Sequence, residues 1–143
     1  MGRRLAGGAA RQRSHLSAAP SGWVRNAALA VLTFDGVLSA IAGAFLLPLY
    51  IGGFPLPISG LISGLVNAAL VWAALQWAPT PRLAALPLWA WLAAVIALTL
   101  GGPGGDIVLG GAGIFQLAPV LFVVLGAGPP AYVLWRLTSK ADA

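Results

Sequence analysis

The sequence predicts an all-α polytopic membrane protein with four transmembrane helices and both termini in the cytoplasm. Three observations lead there. The 143 residues are 59% hydrophobic and only 8% charged, with a mean hydropathy of +0.91, whereas soluble domains carry about 25% charged residues. Four apolar stretches, 26–47, 58–77, 83–100 and 114–137, are each long enough to cross a hydrocarbon core of about 30 Å at 1.5 Å per residue. Every Lys and Arg falls in a segment that an N-in, C-in arrangement places on one side of the membrane, as the preference of cations for the cytoplasmic face requires.

Residues 1–24 contain Arg3, Arg4, Arg11 and Arg13 among Ala, Gly and Ser. Such a composition cannot bury a core, so this tail is expected to be disordered and to touch anionic head groups, at about 1 kcal/mol per cation near the surface. The basic lead, the apolar run and Ala42-Gly43-Ala44 mimic a signal-peptide cleavage site. The lead is long, however, and Asp35 interrupts the run, which favours a retained anchor. In a soluble protein the net charge of +5 would suggest nucleic acid. Here the cations sort by topology instead, and no nucleic-acid partner is expected.

Span one (26–47) holds Asp35, the one ionisable side chain deep inside a span. A central Asp costs about 2.5–3.5 kcal/mol to insert, so it marks a packed or functional position. Arg25 lies ten residues away, roughly 15 Å along a helix and beyond side-chain reach. Asp35 is therefore expected to be a neutral hydrogen-bond donor, with Asn67 of span two, at similar depth, as its partner. That pair is an interhelical hydrogen bond, a proton-binding site, or a contact for a ligand or partner subunit. Gly36, Ala40 and Ala44 on span one, and Gly60, Gly64 and Ala68 on span two, repeat at four-residue spacing. Small residues one turn apart let backbones approach closely, so both rows are expected to be packing faces, within one chain or between chains.

Span two (58–77) ends at Pro79-Thr80-Pro81-Arg82, and span three (83–100) follows. Trp23, Trp77 and Trp135 fall at the cytoplasmic ends of spans, and Trp72, Trp89 and Trp91 in the cytoplasmic halves. An interfacial aromatic belt accounts for them. A flat cofactor stacked among them is the alternative. Haem would need an axial ligand, yet His15 and Met1 sit in the tail and Tyr50 and Tyr132 near opposite span ends. No cofactor is expected.

The loop before span four reads Gly102-Pro103-Gly104-Gly105-Asp106, with Gly110 to Gly113 following. Asp106 is expected to cap the segment after it. One carboxylate falls far short of a calcium site, and no metal is expected. In span four (114–137), Pro129 and Pro130 remove two backbone donors and are expected to kink or break the helix. Residues 138–143 form a C-terminal cytoplasmic tail. The absence of Cys removes thiol chemistry, disulfides and iron–sulfur ligation.

Pro103-x-Gly105-Asp106, followed by Gly111-Ala112-Gly113-Ile114 between the third and fourth spans, resembles a family of small, uncharacterised four-span membrane proteins of actinobacteria. The resemblance implies the plasma membrane of a high-GC Gram-positive bacterium and carries no activity or catalytic residue with it. Where that family has an acidic residue between Pro and Gly, this chain has Gly104.

No nucleophile, base and orienting group share a depth, so enzymatic activity is not expected. The sequence favours an accessory or structural subunit that packs against itself or a larger membrane complex. A minimal proton-linked transporter or channel component centred on Asp35 and Asn67 is the alternative.

Overall fold

The computed structural model describes residues 20–46, 50–51, 54–55, 58–101 and 117–140. These are helical apart from one short ladder. Helix α1 spans Gly22–Phe45, and strands β1 (Tyr50–Ile51) and β2 (Phe54–Pro55) then pair antiparallel, Tyr50 opposite Pro55. Helices α2 (Ile58–Trp77), α3 (Pro81–Ala84), α4 (Leu86–Leu100) and α5 (Leu117–Ser139) follow. Three helices, α1, α2 and α5, are long and apolar enough to cross a membrane; α4 is a shorter apolar helix.

The third apolar segment is divided because of one residue. Thr80 caps α3 by accepting from the Leu83 N–H, and Pro81 suits the first turn, where no donor is missed. Pro87 then has no N–H to give to Leu83, so the helical ladder lapses at Ala85. Hydrogen bonds from Ala85 N to Pro81 O and from Trp89 N to Ala85 O carry the turn across the gap. Gly101, at φ 141°, ends α4 in a conformation that only glycine adopts readily.

Helix α5 has no break at its prolines, one of the two outcomes expected there. It runs unbroken through Pro129 and Pro130, although each proline removes a bond to the carbonyl four residues earlier. Tertiary packing compensates. Pro130 is fully buried, Gly126 lies directly beneath the Trp91 ring, and the Leu125 carbonyl, deprived of its donor by Pro129, points onto the bare Cα of Gly64. Such Cα–H···O contacts recur where helices pack closely.

Packing runs from α5 to α2, from α2 to α1 and from α1 to α4; these three helix pairs make the main contacts. Members of the two small-residue rows meet different helices within the chain. Gly60 and Gly64 meet α5 at Phe122, Leu125 and Gly126, while Gly36 meets the Pro87 backbone. Ala40 and Ala44 join Trp91, Val95 and Phe122 in the main core, and Ala68 is only half-buried. A smaller cluster of Leu29, Ala74 and Ala84 closes the other end of the bundle.

Candidate functional site

The polar centre of the bundle is Ser63. Its hydroxyl accepts from Trp91 Nε1 at 2.9 Å, lies 3.2 Å from Ser39 Oγ, and donates to the Ser39 carbonyl at 3.3 Å. One donor and two acceptor sites are all that a hydroxyl has, so Ser63 is saturated when Ser39 donates to it. Three helices are joined through one oxygen. Trp91, expected in an interfacial belt, is instead fully buried. Its ring packs against Phe122 at 5.4 Å, tilted by 32°, and Phe122 in turn fills the space left by Gly43. Trp23, Trp72, Trp89 and Trp135 are exposed, as a belt would be. Trp91 differs because its N–H has an internal acceptor, without which burying it would leave a donor unsatisfied.

The Ser39–Ser63 contact sets the register of two antiparallel helices. One turn further along each lie Asp35 and Asn67, so the two share a depth as expected. They are not hydrogen-bonded. Successive steps of four residues rotate by about 40° on a helix of 3.6 residues per turn, and the row Ser59, Ser63, Asn67 therefore winds away from α1. Ile62, Val66 and Leu70 take its place beside Asp35. Asn67 is fully buried, and neither its Oδ1 nor its Nδ2 finds a partner among the described residues.

Asp35 is half-buried and opens onto a groove of about 390 Å³ between α1 and α2. Ser39, Ser59 and Ser63 supply its other polar lining; Ala42 and Gly43 also line it, and Leu38 and Ile62 stand exposed beside it. Ser59 is 3% exposed, and its hydroxyl has no partner among the described residues. The row Ser59, Ser63 and Asn67, beside Gly60, Gly64 and Ala68, is legible in the sequence as one helix stripe. Asp106, the basic residues of the tail and the Pro103 to Ile114 motif lie outside the described residues.

Comparison with known protein families, with curated proteins and with solved structures finds no match. The chain's own geometry offers three membrane-length apolar helices and, among the described residues, one carboxyl in a groove between two of them.

The state of Asn67 generates a prediction. Leucine is close to isosteric and removes two buried polar atoms that have no partner. Asn67→Leu should raise stability by about 1–3 kcal/mol in reversible unfolding from mixed micelles. A loss of similar size would mean that the amide is paired in the membrane.

Proposed function

We propose that this chain is a four-span plasma-membrane protein, with both termini in the cytoplasm, that works as a structural or accessory subunit of a membrane assembly. A fourth crossing is supported by the run Pro81 to Leu100. Counted through the Pro87 gap it has 20 residues, about 30 Å of helix and one hydrocarbon thickness. The orientation is supported by the placement of Arg25, Arg82, Arg136 and Lys140. The basic tail adds contact with anionic lipid, and the likeness of the Pro103 motif to actinobacterial proteins suggests the membrane concerned.

The assembly role is carried by Gly128. Within the described helices, Gly36, Gly43, Gly60, Gly64 and Gly126 each leave room that a neighbouring helix fills. Gly128 also sits inside a helix, where glycine is destabilising by about 0.5–1 kcal/mol relative to alanine, yet nothing described lies within 4 Å of where its Cβ would stand. It shares an exposed face with Val124, Ala131, Tyr132 and Trp135. A glycine flanked by large side chains on an outward face suits the close approach of another helix. The partner is a second copy or another membrane subunit.

A proton-linked transporter or channel component is the second reading. It is favoured by Asp35, an acid at mid-helix that is open to a groove and not paired to Asn67.

Two experiments test the main reading. Gly128→Leu should leave helix content and thermal stability near wild type while abolishing the assembled species seen by cross-linking and native mass measurement in mild detergent. Gly64→Leu, the control, should lower the yield of folded protein, because Leu125 occupies that space. Assembly that survives Gly128→Leu would defeat the proposal. For orientation, Ser14→Cys and Ser139→Cys should resist an impermeant thiol reagent in intact cells, and Gly104→Cys should react; labelling at the termini would reverse the assignment.

A further inference from the structure

We infer that the groove between α1 and α2 binds a lipophilic amine, its cationic nitrogen on the Asp35 carboxyl and its apolar body along the slot toward Ser59. This goes beyond the assembly role assigned to Gly128 and shares with it only the placement of the helices in a bilayer.

Charge complementarity selects the ligand. Asp35 is the lone acid in the groove lining among the described residues, and Arg25 is ten residues away on the same helix, about 15 Å and out of reach. A carboxyl at this depth is stabilised by an incoming cation that also brings apolar surface. The Ser39 hydroxyl lines the groove one turn on, beside the nitrogen's position, while Leu38, Ile62 and Val66 offer the apolar walls. The volume, about 390 Å³, falls in the range of small-molecule sites, about 300–1,000 Å³.

Ser59 is the second, independent observation. Its hydroxyl is buried, has no partner among the described residues and is part of the groove lining. Because Ser39 stands opposite Ser63, Ser59 is level with Gly43, two turns from Asp35 and about 12 Å along the slot. A ligand with a second polar group at that distance satisfies both ends.

Size and depth argue against other occupants. The helices flanking the slot already touch at Ser39 and Ser63, so a helix about 10 Å across cannot reach the floor. Asp35 lies thirteen residues from Gly22 and ten from Phe45, about 20 and 15 Å from the two ends of α1. A phospholipid amine would have to leave the head-group layer to reach it.

Binding of tritiated octylamine to the full chain in phosphatidylcholine nanodiscs, with partition into empty discs subtracted, tests the proposal. Wild type should show one saturable site per chain, and octanol none. Asp35→Asn should weaken octylamine binding by about tenfold or more with the circular dichroism unchanged, and Asp35→Glu should retain it. Aminooctanol should bind more tightly than octylamine, and Ser59→Ala should erase that advantage. Unsaturable octylamine uptake, or equal binding by Asp35→Asn, would overturn the inference. So would displacement by phosphatidylethanolamine, which would make the groove a lipid site, or blockage by a protein cross-linked at Leu38→Cys, which would make it a helix site. A chain that fails to enter nanodiscs would instead contradict the membrane reading itself.

Discussion

The bundle depends on the seating of Trp91. Its indole N–H ends on the Ser63 hydroxyl, its ring lies on Phe122, and the backbone of Gly126 passes beneath it. Lipid removes most of the hydrophobic drive for helix association, which leaves dispersion contacts and interhelical hydrogen bonds to hold the helices together. A large flat ring satisfied at its one polar atom supplies both. Through Ser63 the same contact reaches Ser39, so α4 is fixed to α2 and α2 to α1 at a single level of the bundle.

The glycines and prolines follow from that seating. Gly43 and Gly126 provide room for the aromatic pair, and Gly64 provides room for a carbonyl that Pro129 leaves without its helical donor. Proline in a helix interior is destabilising by about 3 kcal/mol when isolated. In this bundle Pro130 is buried and Leu125 O is covered, so α5 stays helical. The lapse at Ala85 and the prolines of α5 both lie beside close helix contacts, Pro87 against Gly36 and Leu125 against Gly64.

Much of this was legible in the sequence, for a physical reason. Apolar runs of membrane length identify α1, α2 and α5 because length and composition are local properties. The small-residue rows announce close packing, but any backbone can fill them; which helix does so is decided by the whole bundle. Trp91 and Trp89 are two residues apart and look alike in sequence, and only a facing Ser63 separates a core residue from a lipid-facing one. The depth shared by Asp35 and Asn67 could be counted. Their orientation could not, because the 40° drift of an i, i+4 row turns Asn67 out of the groove. The continuity of α5 through two prolines depends on contacts from other helices, which the local sequence does not contain.

The bond between Trp91 and Ser63 joins α4 to α2, and a double-mutant cycle measures it directly. Trp91→Phe, Ser63→Ala and the double variant should each unfold reversibly in mixed micelles, with a favourable coupling of about 0.6–2 kcal/mol, the range for intramembrane hydrogen bonds. Additive effects, with no coupling, would show that the indole does not rest on Ser63 and would contradict the arrangement of all three helices that meet there.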